Sequence, residues 1–460
     1  MKISIHLLIL LFVAFSANNF AQVIHTTHWY FGNNAGLDFS SGSPVPIGSS
    51  GMRTDEGSAA FSDENGNLLF YSNGIAVSND IAAVWNRNHQ LMPNGDLTDT
   101  TGYGTPMQSS IVVPVPGSTS NYYLFTLDGY ENYSNANYKG LCYTIIDMSL
   151  DNGLGDVTEK AIPIATTATP FLCEQMAVTK HANGIDYWLV VHESNYINQN
   201  SNKFILFLIS ENGISAPMIQ NIGMDDSPGM QSTMQISSNG SKLAFNWEIF
   251  DFNNATGVLS NPIQVGGSWG YREFSRNGRF LYVSSWSNGL YQFDLQASNI
   301  PASLYQVSDY DRFGQIQIGP DGKIYVAMDF INGAFQPYLS VIHQPNLAGS
   351  ASNFEMNAIT LTNATSILGL PNFIDYIPPS TASIADQSIE PEIVVFPNPA
   401  TDDVKVYFES PSTVKVYSIA GKLIAEFEAT TQLDLDVSNY SKGMYYLCVN
   451  GTKTVRFVKE

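Results

Sequence analysis

The amino-acid sequence predicts an all-β protein: a β-propeller body, most simply seven-bladed, followed by a small Ig-like β-sandwich. Three observations carry this. A glycine-containing polar turn between two strand-like runs recurs along residues 23–377, and most copies carry Asn-Gly or Asp-Gly. From residue 392 the pattern changes to a second set of short alternating strands. Charged residues make up only 13% of the 460, against about a quarter in ordinary globular chains. Polarity comes instead from Asn, Ser, Thr, Gly and Tyr, a mix that suits short strands joined by tight turns.

The first element, residues 1–21, reads as a secretory signal peptide. Met1-Lys2 gives a positive start, Ile5 to Phe15 is an apolar run, and Ser16 to Ala21 turns small and polar. The run is too short to span a bilayer as a stable helix and fits the middle of an export signal with cleavage after Ala21. No later segment is apolar and long enough to cross a membrane as a helix, so an integral membrane protein is not expected.

The body, residues 23–377, is built on a repeat. Ala59 to Tyr71, Ala177 to Leu189, Gln235 to Phe245, Phe274 to Val283 and Ile316 to Val326 each read strand, tight turn, strand, and Ile111 to Phe125 is a looser copy. Asn-Gly and Asp-Gly favour hairpins because Gly accepts a positive φ without steric cost. The turn glycines stand at 66, 117, 184, 240, 278 and 322, with spacings of 51, 67, 56, 38 and 44. Each interval has room for about four strands, which is one propeller blade. The ends imply a seventh. Leu370 to Ile377 reads as a first strand without a partner, while Trp29 to Gly32, Gly36 to Phe39 and Pro44 to Ile47 read as later strands without a first. Joined, they would complete a blade from both ends and close the ring.

Residues 378–391, with Pro378-Pro379, Ser380, Thr381 and Ser383, read as a linker. Val404 to Phe408, Val414 to Tyr417 and Leu433 to Val437 then alternate apolar with polar, as half-buried strands do. About seven short strands in residues 392–460 make a small sandwich.

Two resemblances follow from these residues. The turn motif Ser/Gly-x-Asn/Asp-Gly-(Lys/Arg)-x-(Leu/Ile)-Tyr resembles the blades of TolB-like and WD-repeat-like propellers. Trp29 to Phe39 and Val84 to His89 look like stretches of large secreted proteins of gliding-type bacteria. The C-terminal block resembles the type A sorting domain of the type IX secretion system in Bacteroidota. The matching pieces are Phe396-Pro397-Asn398-Pro399, Val416 to Lys422 around Gly421, Lys442 to Leu447 with Gly443 and Tyr445, and a basic, apolar last strand. This resemblance implies the type IX machinery as a partner, passage through the periplasm and outer membrane, and release or surface attachment, usually with loss of the domain.

The net charge of −21 excludes nucleic acid, whose phosphates call for clustered Lys and Arg, and argues against docking on anionic lipid. Three cysteines, Cys142, Cys173 and Cys448, are too few for a disulfide framework. No metal motif is present and no cofactor is expected. Asp225-Asp226 and Asp309/Asp311 are loop carboxylates that could take Ca²⁺, without EF-hand spacing. No nucleophile elbow, zinc helix or P-loop occurs. His192-Glu193 is the one close His–carboxylate pair in the body, explained by a wet loop or strand end.

Glu56, Gln108, Glu174, Gln231, Arg272 and Gln315 each stand at the start of an inner strand, just after a loop. In a ring of blades they would converge near one mouth of the channel, as a ligand site or as strand caps around channel water. Trp188, Trp247, Trp269, Trp286 and Tyr291 would suit sugar stacking, and Trp269, among glycines, is the one expected to be exposed. The expected function is binding of an extracellular protein or glycan through the loop face of the body. The alternative is a hydrolase or lyase at the channel mouth, using Glu56, Glu174 or Arg272.

Overall fold

The computed structural model describes residues 24–77, 80–98, 104–133, 138–164, 171–194, 201–226, 232–266, 270–329, 334–377, 394–396, 398–407, 412–419, 421–429, 432–450 and 453–460. The predicted signal peptide and linker lie outside them. The chain divides into two compact units, residues 1–378 and 379–460.

Each predicted hairpin forms around its glycine. Residues 66, 117, 184, 240, 278 and 322 all adopt positive φ, between 68° and 82°. The amide of Gly240, for example, donates to the carbonyl of Ser237 at 2.7 Å. The Asn239 side chain accepts from the Ser241 amide at 3.1 Å, the local bonding that makes Asn a turn residue.

The described part of the body forms seven antiparallel sheets. The first has three strands: His28–Phe31, Asn33–Asp38 and Val45–Arg53. The next six begin with Ala59–Ser62, Ser110–Pro114, Leu172–Lys180, Gln235–Ile236, Tyr271–Phe274 and Phe313–Ile318. In each of these six the starting strand is followed by neighbours in chain order, as in a propeller blade.

Apolar clusters fill the spaces between neighbouring sheets. One joins Ile111 and Phe125 of the third sheet to Leu189 and Phe207 of the fourth, and another joins Tyr282 of the sixth to Ile324 and Val326 of the seventh. The ring closes where the Trp29 side chain of the first sheet meets that of Tyr325 in the seventh, 5.4 Å between centroids. On the other side Tyr30 stacks on Tyr71 of the second sheet at 4.2 Å. Burying one such ring stabilises by about 1.5–3 kcal/mol, so these contacts are a strong clasp.

The predicted closing strand is corrected. Leu370 and Phe373 do pack with Trp29, Tyr30 and Phe31, so the two ends of the body meet. Leu370 to Ile377 does not pair as a ladder with the first sheet, and makes a single parallel bridge, Pro371 to Ser58. Pro371 has no N–H to donate to a ladder, and the polar groups around it go elsewhere.

They go to the axis. Leu368 N donates to Asp55 O at 3.0 Å, and Asn372 N to Ser58 O at 2.8 Å. The Asn372 side chain meets Gln108 and the Met176 carbonyl, each at 3.4 Å. Leu370 N donates to Gln315 Oε1 at 2.9 Å. Asp375 accepts from Ser238 Oγ at 2.6 Å and pairs with Arg276. The eight residues from Leu368 to Asp375 therefore reach all six sheets from the second to the seventh, which only a position along the central axis permits. Gly369 is required there: a Cβ on it would lie 1.7 Å from the Glu56 carbonyl oxygen.

The second unit is a sandwich of two sheets. One orders Val394–Phe396, Asp403–Tyr407 and Gln432–Asp436. The other orders Leu423–Ala429, Ser412–Ser418, Gly443–Val449 and Lys453–Lys459. Val404, Val406, Val414, Val416, Leu435 and Leu447 fill the space between them, and they come from the alternating positions read in the sequence.

Candidate functional site

Of the sequence-predicted residues, Glu56, Gln108, Glu174, Arg272 and Gln315 are all buried. Glu174 is 3% and Arg272 2% exposed, and Glu56, Gln108 and Gln315 are equally enclosed. Gln231 lies outside the described residues. Gln108 is fully used: it donates to Met234 O at 3.0 Å and accepts from Met234 N at 2.8 Å. Gln315 is held by Leu368 and Leu370 of the axial segment. These two glutamines are structural pins.

The charged members differ. Glu174 accepts from Tyr130 N at 2.8 Å, and burial raises its carboxyl to about 8. Burial, followed by the nearby Glu174 and Glu131 carboxylates, pushes Glu56 well above the usual carboxylate range. Its Oε2 has no hydrogen-bond partner among the described residues. Burial lowers Arg272 to about 9. Its Nη1 donates to Ser232 Oγ at 3.1 Å and to the Gly270 carbonyl.

Glu273, on the neighbouring position, accepts from Gln235, Phe274 and Ile318. It too is raised to about 8, by burial and then by Asp375. A raised carboxyl is protonated in the folded state and ionised in the unfolded one, so its contribution is present at low pH and lost as pH rises towards 8. The body is therefore expected to be more stable at pH 6.5 than at pH 8.5 by a few kcal/mol. Denaturant titration followed by tryptophan fluorescence checks this, and Glu174→Gln should flatten the dependence. Equal or greater stability at pH 8.5 would contradict it. Below about 6.5 the trend weakens, because buried His192, lowered to about 4 by desolvation, is protonated in the unfolded chain and must lose that proton on folding.

His192 corrects a second expectation. It sits at a strand end, but it is buried rather than wet, with Nδ1 2.7 Å from the Glu193 carbonyl. Cys173 Sγ lies 3.6 Å from the same nitrogen. Burial raises the thiol and lowers the imidazole, so the pair is neutral and lacks the thiolate a nucleophile needs. Cys142, Cys173 and Cys448 are all free. Among the described residues no three His, Cys, Asp or Glu groups converge to hold a metal ion. Trp269 lies outside the described residues. Among the described members of the aromatic set Trp286 is the exposed one, at 41%, with Arg312 4.1 Å from its ring centre.

The open concavity lies apart from the sequence-predicted residues, and sequence reasoning missed it. From Glu174 to Lys180 the fourth sheet's inner strand runs six residues, roughly 20 Å at about 3.3 Å per residue. There, where the axial segment passes Phe373, Ile374 and Tyr376, a cavity of about 110 Å³ opens, walled also by Phe61, Val112 and Tyr187. His25 stacks on Phe61 at 4.7 Å. Lys180 is the one Lys or Arg among its lining residues. Its ammonium lies 5.7 Å from the Tyr187 ring centre.

In the second unit Asn398 and Tyr445 of the motif have structural partners. Asn398 accepts from Val458 N at 2.9 Å and donates to Arg456 O at 3.2 Å, pinning the last strand. Tyr445 stacks on Phe457 at 5.4 Å and donates to Ser441 O. Gly421 and Gly443 hold positive φ, Pro399 is exposed, and Pro397 lies outside the described residues. Residues 394–460 match the family of secretion-system C-terminal sorting domains. The match indicates a type IX sorting signal. The chain is thus handled by the type IX system and exported through the periplasm to the surface or the medium.

No curated relative matches the chain. Among solved structures, a candidate 6-phosphogluconolactonase from Bacteroides uniformis is 14% identical, covering 74% of this chain and 97% of its own, with a TM-score of 0.48. One from Bacteroides fragilis is 12% identical over 75% and 96%, at 0.46. The β-propeller domain of Cps50 (Swd1) from Myceliophteria thermophila is 11% identical over 67% and 95%, at 0.40. At these scores none of the likenesses assigns an activity.

Proposed function

We propose that the exported body works by binding an extracellular protein or glycan through its loops, and not by catalysing a reaction. The filled axis carries this reading. Among the described residues, the polar groups that would have formed a channel-mouth site are enclosed, and Gln108 and Gln315 hold the axial segment at Asn372 and Leu370. An exposed aromatic ring, Trp286, with Arg312 and Asp329 beside it, is the kind of loop feature that binds through contact area.

The competing hydrolase or lyase reading draws on Glu174 and Glu56, whose raised carboxyls have the protonation a general acid needs. Against it, both side chains are buried, Glu56 at 7% and Glu174 at 3% exposure. The test is to pass the full chain over arrays of bacterial-surface glycans and extracellular proteins, and to assay the same panel for cleavage. Retention of a panel member that survives Glu174→Gln and Glu56→Gln supports binding. Cleavage that is lost in Glu174→Gln would establish the enzyme reading instead.

A further inference from the structure

The cavity at the hairpin end of the axis has a chemistry of its own. Its walls are mostly rings and aliphatic side chains: Phe61, Phe373, Tyr187, Tyr376 and Ile374. Its volume, about 110 Å³, is of the order of the ~150 Å³ apolar cavity known to take up benzene. That suits a single flat ring or part of a fused pair, stacked or edge-on against the aromatic walls.

Charge adds a second, independent constraint. The chain has 41 acidic residues against 20 Lys and Arg, yet no Asp or Glu lines this cavity. Lys180 does line it, and forms no ion pair among the described residues. Lys203, Lys242, Lys323, Lys405 and Lys415 pair with carboxylates; Lys139 and Lys160, like Lys180, form no ion pair among the described residues, but of these three only Lys180 lines the cavity. An unpaired ammonium at an apolar pocket free of acids is complementary to an anion, and its interaction there is less screened than at an open surface.

We infer that this pocket binds a small planar aromatic molecule carrying a carboxylate or sulfonate, with the ring against Phe61 and Phe373 and the anion on Lys180. The pocket is separate from the loops invoked above, so this holds whichever macromolecule they engage. A sugar acid offers the same charge, but its hydroxyls would meet walls that are largely carbon.

The experiment is isothermal titration of the full chain with naphthalene-2-sulfonate, neutral 2-naphthol and glucuronate. The sulfonate is expected to bind at one site per chain, and 2-naphthol more weakly. Lys180→Met keeps the apolar stem and should weaken the sulfonate by roughly 10- to 100-fold while leaving 2-naphthol unchanged. Lys180→Arg should retain binding, and circular dichroism of both variants establishes folding. Equal binding of sulfonate and 2-naphthol, unaffected by Lys180→Met, would overturn the role of the anion. Glucuronate binding in preference to the aromatic probes, or no binding of either aromatic, would overturn the inference outright. The binding reading of the body would still be judged separately, by array retention.

Discussion

Asp375→Ala is expected to destabilise the body by about 3–5 kcal/mol. Arg276 and Asp375 form an ion pair whose side chains are 5% and 6% exposed. Removing the carboxylate leaves the Arg276 guanidinium buried with only the Gly319 carbonyl, at 2.7 Å, as a described acceptor. It also leaves Ser238 Oγ without its acceptor. Most of the cost is the uncompensated charge rather than the intrinsic worth of the pair. The double change Arg276→Met with Asp375→Leu should therefore recover most of the loss. All six tryptophans lie between residues 29 and 286, so their fluorescence reports the body without interference from the sorting domain. A loss below 1 kcal/mol for Asp375→Ala would mean that the axial segment does not anchor the fold.

What was legible in the sequence is what local backbone chemistry controls. The hairpins were legible because a turn that needs positive φ selects Gly, and Asn or Asp before it bonds locally, as Asn239 does. The sandwich was legible because half-buried strands alternate, and Val404, Val406, Val414 and Val416 occupy the inward positions.

The axis was not legible, because it is made of contacts between residues very far apart in the chain. Gln108 and Asn372 are separated by 264 residues. Nothing near Leu370 to Ile377 distinguishes a ladder strand from an axial one, apart from Pro371. The inner-strand polar residues can be picked out by their place after a loop, but whether they face water or the chain itself depends on that distant segment. Lys180 was missed because Thr179-Lys180-His181 reads as the polar start of a turn. Its significance appears only when the fold places aromatic side chains from the second and fourth sheets and the axial segment around it.

The C-terminal unit is the export address of a body that folds as a separate compact unit. Deleting residues 392–460 should abolish export while leaving the body folded, because the chain divides into compact units at residues 378 and 379 and the axial segment ends before the deletion. The most direct measurement is fractionation with intact mass in a host that carries a type IX secretion system, comparing the full chain with the truncated one. The full chain is expected in the medium or on the surface and the truncated chain, folded, in the periplasm. Equal export of both would contradict this expectation and reduce residues 394–460 to an ordinary sandwich module.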